Sequence, residues 1–239
     1  MAAELQSLVA WEFNPSDEDQ RTDHKYTPNR PVPSRCLEEL GVLRWKIDVQ
    51  NTESNPALEE IKQMRGYKFW ETVTVAPGKL ENYEAKLAQF FTEHLHPYDE
   101  SRLILEGSGY WDIRGINGDW IRFHVEKGDL IVLPPGMYHR FTLDKQNYIK
   151  ALLLYTEVPT RVDVMSPEGD KLEVRKDYVN KFLNKLGCPG PTLSSASSNI
   201  TEESFSSRSS DLGYDSEITA KLPALSLQDD SALAIPTVG

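Results

Sequence analysis

Between Arg102 and Tyr155 the chain is a succession of short apolar runs, each closed by a glycine-bearing or polar turn, and this pattern confines it to antiparallel β-structure. Leu103-Ile104-Leu105 precedes the expected turn Glu106-Gly107-Ser108-Gly109. Tyr110 to Arg114 alternates and meets Gly115–Asp119; Trp120 to Val125 alternates and reaches Lys127-Gly128-Asp129. Leu130 to Leu133 runs into Pro134-Pro135-Gly136, and Met137–Leu143 and Tyr148–Tyr155 complete the set. Short strands at regular spacing predict a sandwich or small barrel, not a βαβ fold.

The flanks add few helices. Cys36–Leu40 reads as a short helix stopped by Gly41, and Val42–Asp48 as a strand. Asn55 and Pro56 supply a cap and a first-turn proline for a helix to about Met64, ended by Gly66. Phe69–Val75 reads as a strand. Leu80 to Glu93 is a helix with Leu80, Tyr83, Leu87, Phe90 and Phe91 on one face. Asp177–Leu186 is a closing helix. Ahead of the domain, Pro15, Pro28, Pro31 and Pro33 predict an extended arm, since proline fixes φ and removes a donor. From Gly190 on, serine and acidic residues dominate, too polar to offset the entropy of ordering. The expected organisation is an arm over 1–35, one domain over 36–187 and a disordered tail over 188–239.

A net charge of −11 argues against nucleic acid, whose phosphates need a basic face. No apolar run has the length of a membrane helix, and Met1–Gln6 opens no signal peptide. The two cysteines, Cys36 and Cys188, lie far apart, so no disulfide framework and a reducing interior are expected.

Three of the five histidines, His94, His96 and His139, stand at the two ends of the β-rich stretch. On a strand His94 and His96 share a face. Glu100 reaches the same point if Pro97-Tyr98-Asp99 turn, and His139 arrives from a distant strand. Three imidazoles and a carboxylate suit Fe(II), Ni(II), Mn(II) or Zn(II). On an octahedral ion they leave two positions open, as a bidentate substrate requires; a structural zinc site is closed. Taken singly, each histidine reads equally well as a hydrogen-bonded core residue.

The glycines around these residues fall at fixed places. Glu100 is followed by six residues and Gly107; Gly128 is followed by five residues, Pro134, one residue, Gly136, two residues and His139. This double pattern resembles the two motifs of the cupin family of β-barrels. The closer run Glu93-His94-Leu95-His96, Asp99-Glu100-Ser101-Arg102 through Gly107-Ser108-Gly109-Tyr110, with Trp120-Ile121-Arg122, Val125–Leu130 and Tyr138-His139-Arg140-Phe141-Thr142, is similar to the acireductone dioxygenases. The resemblance extends from about residue 28 to 157.

It implies a mainly β, cupin-type double-stranded β-helix (a jelly-roll barrel with a few flanking helices) and an enzyme of methionine salvage. Dioxygen cleaves the acireductone 1,2-dihydroxy-5-(methylthio)pent-1-en-3-one. With Fe(II) the family yields formate and 4-methylthio-2-oxobutanoate; with Ni(II) at the same site it yields formate, carbon monoxide and 3-methylthiopropionate. The metal ligands carry over to His94, His96, Glu100 and His139, the substrate-facing arginine to Arg102, and the pocket aromatics to Phe90 and Phe141. The implied partners are small molecules only, with no nucleic acid and no membrane. A monomer in the cytoplasm, and also in the nucleus, is expected, with the tail free to engage other proteins. The alternatives are a non-catalytic metal-binding cupin and a cupin isomerase.

Departures from the pattern are local. Ala88 and Leu143 replace a glycine and an asparagine of the wider cupin motifs, as acireductone dioxygenases commonly do. Pro97 and Tyr98 stand where acidic or small polar residues are usual, and Thr160–Val164 differs from the usual family ending. His24 and His124 have no spacing that joins them to the site.

Overall fold

The computed structural model describes residues 3–184. Two antiparallel sheets share one long strand. In chain order the elements are β1 (Ala10–Glu12), β2 (Pro31–Val32), α1 (Ser34–Glu39), β3 (Leu43–Lys46), α2 (Pro56–Arg65), β4 (Phe69–Val75), α3 (Tyr83–Phe91) and β5 (His94–Leu95). There follow β6 (Glu100–Arg114), β7 (Trp120–Glu126), β8 (Asp129–Leu133), β9 (His139–Leu143), β10 (Ile149–Tyr155), β11 (Val164–Met165) and α4 (Glu173–Tyr178). One sheet runs β11-β5-β9-β6-β7-β1-β2. The other runs β4-β10-β6-β8-β3, and strand pairing does not close the whole into a ring. This is the jelly-roll arrangement the motifs implied.

The expected turn at Glu106–Gly109 is absent, because β6 passes straight through it. Glu100 to Leu103 pair with β8, and Ser108 to Arg114 with β7. Between them the register against β10 slips, with Lys150 opposite Glu106 and Ala151 opposite Ile104. The extra residue is a bulge, which bends a strand and reverses which face its later side chains take. Gly107 sits there at φ +74, and a Cβ would collide with the Tyr148 carbonyl oxygen. The glycine-rich segment that reads as a hairpin turn is the point where one strand changes sheets.

Alternation places the core. Ile131 and Leu133 of β8, and Ile149, Ala151 and Leu153 of β10, face the space between the sheets with Ile104, Trp111, Ile113 and Phe123. Leu130, Val132, Leu152 and Leu154 face outward onto α2. β8 therefore reads as an unbroken apolar run because both of its faces are covered. In α2 the Asn55 side chain accepts from the Leu58 N–H, Pro56 opens the first turn and Gly66 ends the helix at φ +71. Leu58 and Ile61 are fully buried on the sheet, about 1.5–3 kcal/mol each.

The arm expected over 1–35 is extended but packed. β1 pairs with β7, Ala10 opposite Phe123, and Leu8, Ala10 and Trp11 are buried. Arg122, fully buried, explains the docking. It forms a bidentate pair with Asp112 (2.6 and 2.9 Å) and donates to the carbonyls of Gln20 and Thr22 (2.9 and 2.6 Å). α3 begins at Tyr83, not Leu80, because Asn82 takes a left-handed conformation (φ +51) just before it. The closing helix starts at Glu173 and widens into a π-helical turn over Val179–Leu183. Its expected end at Leu186 and the tail over 188–239 lie outside the described residues. Cys36 is buried on α1, and Cys188, the other half of the cysteine expectation, lies outside the described residues. Among the described residues no helix is long and apolar enough to cross a membrane.

Candidate metal centre

β5 and β9 are paired with His94 directly opposite His139. His96 follows one pleat later, its carbonyl accepting from the Gly136 N–H at 2.9 Å. The Pro97–Asp99 connection then turns back, so that Glu100 opens β6 beside them. Asp99 pins that connection, accepting from Arg65 at 2.5 Å and from the Tyr67 hydroxyl at 2.9 Å. All four expected ligands are buried, with one ligand atom each lying within 4.8 Å of one another. Donors about 2.1 Å from a common ion lie about 3–4 Å apart, so this spacing fits a single ion.

Backbone carbonyls fix the imidazoles. Nδ1 of His94 meets Thr92 O at 2.7 Å, that of His96 meets Val162 O at 2.8 Å, and that of His139 meets Met137 O at 2.9 Å. A carbonyl only accepts, so each Nδ1 carries the hydrogen and each Nε2 keeps a lone pair for the shared point. Glu100 Oε1 accepts from the Trp111 indole at 2.8 Å. Glu100 Oε2 lies 2.9 Å from His96 Nε2 and 2.8 Å from His139 Nε2. Yet the buried His139 Nε2 has no partner in hydrogen-bond geometry. A buried nitrogen left without a hydrogen-bond partner beside a carboxylate oxygen marks a metal-ligand set, and the residues fit a divalent cation.

Electrostatics sets two of the imidazoles apart. Burial, then the neighbouring His139, brings His94 down to about 4, which keeps it neutral and available as a donor. Burial also opposes charge on His96, but the hydrogen bond and charge of Glu100 outweigh it and hold His96 above the ordinary value, so a divalent ion at its Nε2 would compete with a proton for the same lone pair. For Glu100, burial is outweighed by Arg102 and His139, which keep the carboxyl well below the usual range and ionised.

His94, His96 and Glu100 line a cavity of about 260 Å³, together with Arg102, Phe90 and Phe141. Arg102, two residues beyond Glu100 on β6, has Nη2 3.6 Å from Glu100 Oε2 and Nη1 donating to the Ser101 carbonyl at 3.0 Å. No other hydrogen bond holds its guanidinium among the described residues. The Phe90 and Phe141 rings are 6.2 Å apart, and Phe141 packs on Trp111 at 4.3 Å. Val75, Ile149 and Leu153 extend this apolar wall.

The two remaining histidines are elsewhere, as expected. His24 stacks on Phe13 and meets the carbonyls of Asn14 and Asp19; His124 lies 3.4 Å from Asp144. Sequence reasoning missed Trp111, whose indole aims the carboxylate. Counted along an unbroken strand, Trp111 would face away from Glu100; the bulge before Gly107 brings both inward. It also missed Tyr98, stacked parallel on His96 at 5.2 Å, and Asp163 behind the same ring. The departures Pro97-Tyr98 and Thr160–Val164 were the only signal for these two.

Two sheets that share β6, with three histidines and one glutamate gathered beside an internal cavity, define a metal-centred protein of the cupin class. Comparison with known proteins narrows this. Residues 9–163 match the ARD/ARD' family, and the chain belongs to it. It is 48% identical over 180 residues to acireductone dioxygenase 2 of Oryza sativa subsp. indica, covering 75% of this chain and 90% of that protein. It is 47% identical over 172 residues to a Sorghum bicolor protein named probable inactive acireductone dioxygenase 2, covering 72% of this chain and 94% of that one. The structure of an acireductone dioxygenase from Bacillus anthracis with a cadmium ion in its active centre superposes with a TM-score of 0.52 at 23% identity, over 66% of this chain and 99% of that one, which supports the fold.

Proposed function

We propose that the chain is an acireductone dioxygenase, cleaving 1,2-dihydroxy-5-(methylthio)pent-1-en-3-one with dioxygen in the salvage of methionine. The observation that carries this reading is the convergence of three Nε2 lone pairs and Glu100 Oε2 beside Arg102, in a chain of this family. The chemistry a divalent ion supplies there is Lewis-acid neutralisation of a chelating oxyanion.

The protein's own part follows from its groups. His94, His96 and His139, as neutral ligands, would add no charge and Glu100 one negative charge, so these four residues would hold a divalent ion without cancelling its attraction for an enediolate. Arg102 offers unused N–H donors to a substrate oxygen, and a charge-assisted bond of this kind is worth about 1.5–3 kcal/mol. That interaction favours the electron-rich anion over the neutral enediol. Phe90, Phe141 and Leu153 give the methylthio tail an apolar surface and exclude water from the reacting carbons. We assign Fe(II) as the occupant giving formate and 4-methylthio-2-oxobutanoate, with Ni(II) as an alternative occupant giving formate, carbon monoxide and 3-methylthiopropionate. The same four donors accept both ions.

The sorghum relative's name makes a non-catalytic member the second reading. Buried ligands kept intact together with Arg102 favour catalysis. Product analysis separates the two: Fe(II)-loaded protein given synthetic acireductone and dioxygen yields formate faster than the spontaneous reaction. Formate at only the spontaneous rate overturns the assignment.

A further inference from the structure

The three ligand histidines are not held alike. His94 and His139 each give their Nδ1–H to one neutral carbonyl two residues before them. His96 reaches across the fold to Val162 O at 2.8 Å, and Asp163 Oδ1 lies 3.4 Å from the same nitrogen. Among the described residues it is the only ligand imidazole with a carboxylate behind it. Asp163 is itself fixed, since Gln89 on α3 donates to its Oδ2 at 2.7 Å. The residues around it are clamped as well. Arg161 pairs with Glu71 on β4, which also accepts from the Tyr155 hydroxyl at 3.1 Å. On the ring face of His96 the phenol of Tyr98 stacks in parallel, so both the edge and the face of this one imidazole are constrained.

We infer that Asp163, held by Gln89, is a positioning residue that orients and polarises His96 and makes it the strongest of the three imidazole donors to the metal. This rests on the metal-centre reading above and adds a residue to it. A carboxylate 3.4 Å from an Nδ1–H that is already given to a carbonyl polarises that N–H through its field and raises electron density at Nε2, and such outer partners typically change metal affinity by about 10- to 100-fold. The role gives the unusual segment Thr160–Val164 a purpose: it closes the cavity wall and delivers a charge to the back of a ligand.

The test uses the full chain, stripped with chelator and refilled with Ni(II) alone, and reads affinity together with the paramagnetically shifted exchangeable imidazole resonances, one for each of the three Nδ1–H groups. In Asp163→Asn, which keeps the shape and removes the charge, Ni(II) affinity falls about tenfold and one resonance moves while two stay. Asp163→Glu restores part of the affinity. Gln89→Ala, which leaves the carboxylate but frees it, moves the same resonance and gives a second reading should the asparagine variant fold poorly. Wild-type affinity with all resonances unmoved in both Asp163→Asn and Gln89→Ala overturns the inference and leaves the metal centre standing. A wild-type chain that takes up no Ni(II) overturns both.

Discussion

The indole of Trp111 donates to Glu100 Oε1 at 2.8 Å from eleven residues along the same strand, and thereby turns Oε2 toward His96 and His139. Two residues on one strand meet only because the bulge before Gly107 changes the facing of everything beyond it. Trp111→Phe keeps the ring and loses the donor. Metal affinity is expected to fall about tenfold with the fold intact, measured by calorimetric titration of the stripped protein; unchanged affinity would leave the indole with a packing role only.

Gly107 carries the same crossing from the backbone side. Gly107→Ala places a methyl against the Tyr148 carbonyl and a side chain at φ +74. The expected loss is about 2–3 kcal/mol, or about 5–10 °C in melting temperature. A melting temperature equal to wild type would mean that the strand can cross sheets without this conformation.

Arg122 ties the amino-terminal segment to the sheet through Asp112, Gln20 and Thr22. Arg122→Ala leaves the Asp112 carboxylate buried with half its partners and is expected to cost about 3–5 kcal/mol in urea unfolding. Faster amide exchange over Ala10–Glu12 accompanies it, because β1 loses its anchor. Exchange unchanged there would show that pairing with β7 holds the segment without Arg122.

Arg102 and His139 separate substrate handling from metal holding. Arg102→Ala retains the ion and lowers kcat/KM by about 10- to 100-fold, the value of one charge-assisted bond. His139→Ala loses the ion, read by elemental analysis after gel filtration. An Arg102→Ala protein that turns over acireductone at the wild-type rate removes the arginine from the mechanism.

Much of this was legible in the sequence, for identifiable reasons. β4 and α2 were readable to within a residue because Asn55, Pro56 and Gly66 mark the helix ends and both elements follow local rules. His94, His96, Glu100 and His139 were readable because ligand chemistry restricts residue type and the motif spacing restricts place. β6 was not readable as one strand, since a glycine that supports a bulge and a glycine that makes a hairpin turn look the same locally. The packed arm was hidden because its anchor, Arg122, lies about a hundred residues away along the chain. Asp163 was hidden for a similar reason: its partners Gln89 and His96 come from other elements, and only the unusual composition of Thr160–Val164 marked the place.

The central claim is that four buried donors hold one ion on which acireductone cleavage depends. Its most direct test follows the loss of enediol absorbance under dioxygen with chelator-stripped protein, with the same protein refilled with Fe(II), and with His139→Ala given the same Fe(II). The account predicts loss above the spontaneous rate in the refilled wild type alone, rising with Fe(II) until one equivalent is bound. Equal rates in all three would contradict it.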